Sequence, residues 1–85
     1  MSKRDIALYN LYLDLKRAAT FYYLDPKGAS HKVFLKHAQR IAKKLGKNVS
    51  NKINRLFDVI SDASKEKIEI ADEILTTGII LRSQI

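Results

Sequence analysis

The sequence predicts an all-α protein in which four helices form a compact bundle. Apolar residues recur at three- and four-residue spacing in four segments, which is the period of an amphipathic helix. Pro26, Gly28 and Gly46 all fall between these segments, where breaks in helical structure are expected. Eighty-five residues suffice for one small core, so residues 1–85 are expected to form a single helical domain.

The first helix is predicted over residues 4–24. One apolar stripe of this segment comprises Leu8, Leu11, Tyr12, Leu15, Ala19 and Tyr22. A second apolar set lies roughly 100–160° away round the helix and comprises Ile6, Tyr9, Leu13 and Leu24. A helix that is apolar on two sides is expected either at the centre of a bundle or in an oligomer interface.

The second helix is predicted over residues 31–45, after a turn at residues 25–28. Proline and glycine favour that turn, and Ser30 suits the N-cap position. The alternative is that Asp25 caps the helix and Pro26 takes its first position. The predicted buried stripe comprises Phe34, Ala38, Ile41 and Leu45, flanked by Leu35 and Ala42. Gly46 is expected to end the helix in a left-handed conformation.

The third helix is predicted from Asn48 or Val49 to Ser61, and the fourth from Ser64 to Arg82. The buried face predicted for the third comprises Val49, Ile53, Leu56, Phe57 and Ile60. One row of the fourth comprises Ile68, Ala71, Leu75 and Gly78, and the apolar residues around it are Ile70, Ile74, Ile79, Ile80 and Leu81. The second half of the fourth helix is almost entirely apolar, so it should be buried in the bundle or against another chain. Together with the two-sided first helix, this favours a homodimer.

The positive charge is concentrated between residues 26 and 57. Nine basic residues and no acid occur there: Lys27, Lys32, Lys36, Arg40, Lys43, Lys44, Lys47, Lys52 and Arg55. The chain as a whole carries a formal net charge of +7. This distribution indicates a polyanionic partner, either nucleic acid or an anionic membrane surface.

Several function classes lack support in the sequence. There is no cysteine, and the three glycines form no phosphate-binding loop. His31 and His37, six residues apart, fall on different sides of one helix and are expected to be structural or surface residues. We therefore expect no enzymatic activity, no cofactor, no metal site and no small-molecule substrate.

The cellular location is predicted from the same residues. No apolar run approaches the roughly 18 residues that a spanning helix needs. The segment after Lys3 and Arg4 is interrupted by polar and charged residues, unlike the apolar core of a signal peptide. We expect a cytoplasmic protein.

Residues 38–57 carry a resemblance to a known family. The run Gln39-Arg40-Ile41-Ala42-Lys43-Lys44-Leu45-Gly46 resembles the first helix of a repressor-type helix-turn-helix. The run Val49-Ser50-Asn51-Lys52-Ile53-Asn54-Arg55-Leu56 is similar to a recognition helix. The seven residues from Gly46 to Ile53 exceed the usual repressor spacing by one, which requires a turn longer by one residue. The resemblance implies a DNA-binding transcriptional regulator, which we expect to dimerise through the first and fourth helices.

The nucleic-acid-binding residues predicted from charge and resemblance are Lys36, Arg40, Lys43, Lys44, Lys47, Ser50, Asn51, Lys52, Asn54 and Arg55. The lysines beside the turn would neutralise phosphates, and the polar residues of the third helix would face the groove. DNA is favoured over RNA, and nucleic acid is favoured over a membrane surface. The alternatives are a phosphate-backbone binder without sequence selectivity, a surface that lies on anionic lipid, an immunity-type helical protein with a protein partner, and a solvated surface without a partner.

Overall fold

The computed structural model describes residues 2–85 and contains four helices. They are α1 (Lys3–Leu24), α2 (Ser30–Leu45), α3 (Lys47–Ser61) and α4 (Lys67–Arg82). The predicted all-α, four-helix architecture is confirmed. Helices α1 and α2 each begin one residue before their predicted starts, whereas α4 begins three residues after the predicted Ser64.

The helices form a ring in which each contacts two others. Helix α1 packs against α2 and α4, and α3 packs against the same two helices. Helices α1 and α2 are antiparallel, since Arg4 Nη1 donates to the Leu45 carbonyl at 3.2 Å and the rings of Tyr22 and His31 meet at the opposite end. The Cα atoms extend over 37 × 20 × 19 Å, and the long axis matches α1, which is about 33 Å long.

The starts of α1 and α2 are capped differently. The Ser2 hydroxyl oxygen accepts a bond from the Asp5 N–H at 3.0 Å, which caps α1. The prediction that Ser30 caps α2 is wrong, because α2 begins at Ser30 and Ala29 occupies the N-cap. The turn before it is confirmed: the Gly28 N–H donates to the Asp25 carbonyl at 3.0 Å. The alternative start of α2 at Pro26 is therefore also wrong.

The buried row of α2 is rotated from the predicted stripe. His31, Leu35, Ala38 and Ala42 are buried, whereas Phe34, Ile41 and Leu45 lie half-buried at its edge. The reason is packing at the flank of the helix: Phe34 stacks against Phe21 of α1, with ring centroids 5.5 Å apart. The small Ala38 and Ala42 side chains instead face the bundle interior.

In α3, Val49, Ile53, Leu56 and Val59 are buried. Three of them were predicted; Val59 was missed, while Phe57 and Ile60 are only half-buried.

Of the row Ile68, Ala71, Leu75 and Gly78 in α4, only Gly78 is buried. Ile70, Ile74, Gly78 and Leu81 are buried. Ile68 is 58% exposed, and Ala71 and Leu75 are half-buried. Apolar residues surround most of α4, so periodicity alone does not select a row. The buried row is set by contact with α1, which is close at Gly78. A Cβ added at Gly78 would lie 3.2 Å from Leu15 Cβ and 3.4 Å from the Tyr12 ring.

The second apolar set of α1 remains largely on the outside of the bundle. Ile6 is 47% exposed, Tyr9 41% and Leu24 71%, while Leu13 is half-buried. The outer surface of α1 therefore keeps an apolar character at Ile6 and Tyr9, whereas Leu24 adjoins Ile68 of α4. Over residues 2–85, no helix combines the length and hydropathy that crossing a membrane requires.

Candidate nucleic-acid interface

Helix α2 carries its basic residues on the side opposite its buried row. At about 100° per residue, Lys36, Arg40, Lys43 and Lys44 point away from Leu35, Ala38 and Ala42. All four side chains are exposed, and so is Lys47 at the start of α3. We call these five residues the basic face; they are Lys36, Arg40, Lys43, Lys44 and Lys47.

The charges of the basic face are not neutralised within the chain. The ion pairs among residues 2–85 are Asp14 with Arg17, Asp14 with His37, and Lys65 with Glu73. None of the nine basic residues between 26 and 57 takes part in them, and all nine are exposed. Exposed cations without acidic partners produce a positive potential that attracts an anionic ligand.

The connection between α2 and α3 differs from the helix-turn-helix expectation. Helix α3 begins at Lys47, directly after Gly46, and not at Asn48 or Val49. The link is thus a single residue rather than a lengthened turn. Gly46 has φ 114° and ψ 174°, so its φ is positive as expected but its backbone is not in the left-handed helical region. Only glycine adopts this conformation without strain.

Besides the link at Gly46, a side-chain hydrogen bond joins α2 and α3. Gln39 Nε2 donates to Asn54 Oδ1 at 3.1 Å. One of the predicted base-contacting groups, the Asn54 amide oxygen, is therefore engaged within the protein. The amide NH₂ of Asn54 has no acceptor among the described side chains and backbone.

The predicted site residues of α3 divide between two surfaces. Ser50 is half-buried, and Asn51, Lys52, Asn54 and Arg55 are exposed. Lys52 and Arg55 line a cavity of about 310 Å³ between α3 and α4, together with Asp72 and Glu73 of α4. Asn54 instead faces α2. The structure therefore does not gather all ten predicted residues on one face.

The sequence interpretation missed a second polar cluster, between α1 and α2. The Asp14 carboxylate is buried, and its Oδ2 lies 2.5 Å from His37 Nδ1. Arg17 Nη1 lies 4.0 Å from Asp14 Oδ1. A signal was present in the sequence, because Asp14 falls three residues after Leu11 and four before Ala18, within the buried stripe of α1. A carboxylate in such a position needs a partner.

His31 occupies a different environment from His37. It is 1% exposed, and its ring meets the Tyr22 ring edge-on at 5.0 Å between centroids. Burial lowers the pKa of His31, the nearby Lys32 charge lowers it further, and Asp25 partly opposes both. His31 is thus a neutral core residue at neutral pH. Its Nδ1 has no hydrogen-bond partner within the described chain.

Residues 2–85 hold no group of three or more metal-ligating side chains arranged to bind an ion. No protein-family model, curated protein or solved structure matches this chain.

Proposed function

We propose that this protein binds nucleic acid through the basic face and the adjoining polar residues of α3. The observation that supports this most strongly is the run of exposed basic side chains without acidic partners along α2 and into α3. Protein cations bind nucleic acid by displacing the counterions condensed on its phosphates. A solvated surface would not require that acids be absent from a stretch of about thirty residues.

The layout of the basic face suits a phosphate backbone. Lys36 and Lys44 are separated by about 12 Å of helix, a length that covers several successive phosphates of one strand. Ser50 and Asn51 lie beyond Lys47 on α3 and offer hydrogen-bonding groups for phosphates or base edges. Within this proposal the basic face supplies affinity, and α3 supplies whatever sequence selectivity the protein has.

The finer proposal is a dimeric DNA-binding transcriptional regulator. It is supported by the resemblance of residues 38–57 to a repressor helix-turn-helix and by the apolar outer side of α1. Ile6, Tyr9 and Leu24 of α1 and Ile79 and Ile80 of α4 are exposed and available to a second copy. Two copies would present two basic faces to paired half-sites. Sedimentation at micromolar concentration should show a dimer, and a monodisperse monomer would refute this part.

A second candidate function is a helical module that binds another protein. The supporting observation is a cavity of about 330 Å³ between α1 and α4 with largely apolar walls, including the exposed Leu24 and Ile68. An immunity-type protein would use such a surface to hold its partner. This candidate predicts that replacing Leu24 and Ile68 by serine weakens partner binding and leaves nucleic-acid binding unchanged.

The experiment that tests the main proposal compares two variants of equal net charge. The first replaces Lys43, Lys44 and Lys47 of the basic face with glutamine, and the second replaces Lys3, Lys16 and Lys67. All six lysines are exposed, so both variants should fold. Fluorescence anisotropy with a labelled DNA duplex at low salt should show weaker binding by about a hundredfold for the first variant and by a few-fold for the second.

Two outcomes would count against this proposal. Absence of binding to duplex and single-stranded nucleic acid at low salt would refute it. Equal losses in the two variants would show that net charge, and not the basic face, governs the binding.

Sequence selectivity is tested separately with Asn51→Ala and Arg55→Ala. Equal weakening on all DNA sequences would indicate a binder of the phosphate backbone rather than a regulator that reads bases.

A further inference from the structure

A cavity of about 390 Å³ lies between α1 and α2, beside the basic face. Its walls include Arg17 of α1 and Phe34, Lys36, His37 and Arg40 of α2, with the buried Asp14 carboxylate at its inner side. This volume is within the range of small-molecule sites. The cluster combines flat surfaces, cations and a fixed imidazole.

The flat surfaces form a stack that reaches the cavity. Phe21 and Phe34 lie nearly parallel, with 6° between their planes and 5.5 Å between their centroids. The Arg17 guanidinium carbon lies 6.0 Å from the Phe34 centroid, at the outer limit of a cation–π contact. Aromatic rings and guanidinium planes are the surfaces on which proteins stack unpaired bases. The neighbouring Val33 is 63% exposed and extends the apolar wall.

The Asp14 carboxylate fixes the His37 ring. An ionised carboxylate only accepts hydrogen bonds, so the short contact to Nδ1 requires a proton on that nitrogen. His37 Nε2 is then the free polar atom of the ring, and the side chain is 60% exposed. The contact with Asp14 orients the His37 ring before any ligand arrives, whereas Arg17 lies 4.0 Å from Asp14 and its side chain is 55% exposed.

The charge of the cavity selects an anion. Arg17, Lys36 and Arg40 contribute three positive charges, and Asp14 contributes one negative charge. Lys36 and Arg40 have no acidic partner among residues 2–85. A ligand that fits all of these features has a flat ring to stack, polar edge atoms for an imidazole, and a phosphate for the cations.

We propose that the cavity bounded by Arg17, Phe34 and His37 binds a nucleoside phosphate, with its base stacked on Phe34 and Arg17 and its phosphate held by Lys36 and Arg40. The ligand is either a free nucleotide or an unstacked nucleotide of a single strand. Because Lys36 and Arg40 also belong to the basic face, the strand version rests on the proposed function. The free-nucleotide version does not.

The test uses three probes with ¹⁵N-labelled protein: adenosine 5′-monophosphate, a short single-stranded oligonucleotide and inorganic phosphate. The expected result is chemical-shift change at Arg17, Phe34 and His37 with the nucleotide or the oligonucleotide, and much weaker change with phosphate. Saturation by the mononucleotide would identify a free nucleotide as a ligand. Saturation by the oligonucleotide alone would identify the single strand.

Variants separate this inference from the proposed function. Arg17→Gln removes an exposed side chain outside the basic face. It should weaken binding of the nucleotide or the oligonucleotide by about tenfold and change duplex binding little. Replacing Lys43, Lys44 and Lys47 with glutamine should weaken binding of the duplex and change binding of the mononucleotide little. His37→Gln should also weaken binding of the nucleotide, and circular dichroism would check that this variant folds.

Three results would overturn the inference. One is the absence of shifts at Arg17, Phe34 and His37 with both nucleotide probes. The second is oligonucleotide binding with shifts confined to Lys43, Lys44 and Lys47, which would leave the proposed function standing. The third is inorganic phosphate that binds as tightly as the nucleotide and shifts the same residues, since the base would then contribute nothing.

Discussion

At the residue scale, His31 links the core to pH. The ordinary histidine pKa is 6.5, and burial lowers that of His31, with a further lowering by Lys32 and partial opposition by Asp25. Just below pH 6.5 the unfolded chain therefore binds more protons at this position than the folded one, so stability rises with pH. The contribution of the neutral His31 ring to the free energy of unfolding is complete above pH 6.5 and is lost as the pH falls below this value.

The expected outcome is a decrease in the free energy of unfolding between about pH 7.5 and 5.5, with a slope from His31 of at most about 1.4 kcal/mol per pH unit. Urea titrations followed by circular dichroism would measure it. His31→Gln should flatten the dependence. A His31→Gln protein with the wild-type slope would contradict this explanation.

Gly46 is the second residue on which the fold depends. Its φ of 114° with ψ of 174° lies in a region that side chains with a Cβ rarely adopt. Both Gly46→Ala and Gly46→Asn should lower the free energy of unfolding by about 1–3 kcal/mol. Asparagine is informative because it tolerates the left-handed helical region, so a harmless Gly46→Asn would mean that the backbone there is not as described. Asn48→Ala, at an exposed site nearby, should change stability by less than about 0.5 kcal/mol.

At this scale, the sequence predicted where helices end better than it predicted which side chains contact each other. The turn at Gly28 and the break at Gly46 follow from the backbone freedom of glycine, which is a local property. The contact of Asp14 with His37 joins residues 23 positions apart. It depends on how α1 and α2 are rotated against each other, which no local pattern specifies.

At the element scale, the helices themselves were predictable but their buried rows were less so. The number of helices and most of their ends follow from spacing and from Pro26, Gly28 and Gly46. Helix α4 shows the limit: Ile68 and Ile70 both belong to rows of helical period, and only Ile70 is buried. Where a helix is apolar around most of its circumference, the neighbouring helix decides which row it covers.

In α4, Gly78 determines which row packs against α1. Its missing side chain lets α4 approach Leu15 and Tyr12 of α1. Gly78→Val should lower the free energy of unfolding by about 1–3 kcal/mol through overpacking. Thr76→Val places the same side chain at an exposed site of α4 and should stay within about 0.5 kcal/mol of wild type. Denaturant unfolding of both variants measures the difference, and equal stabilities would show that α1 and α4 are not closely packed at Gly78.

At the scale of the whole molecule, the basic face and most of the exposed large apolar side chains lie on different helices, with Val33 of α2 as an exception. The basic face lies on α2 and the start of α3, while the exposed apolar residues Ile6, Tyr9 and Leu24 lie on α1. The concentration of charge was evident in the sequence, and the structure adds that these cations are exposed and lack acidic partners among the described residues. The division of Lys52 and Arg55 from Asn54 was not predictable, because it depends on which sides of α3 adjoin α2 and α4.

The measurement that tests the central claim most directly is the salt dependence of duplex DNA binding. If all five residues of the basic face contact phosphates, the logarithm of the binding constant should fall against the logarithm of salt concentration with a slope of about −4.5. Replacing Lys43, Lys44 and Lys47 with glutamine should make the slope shallower by about 3 units, while the matched Lys3, Lys16 and Lys67 variant should keep it near the wild-type value. A wild-type slope shallower than about −1, or an equal change in both variants, would contradict phosphate binding by the basic face.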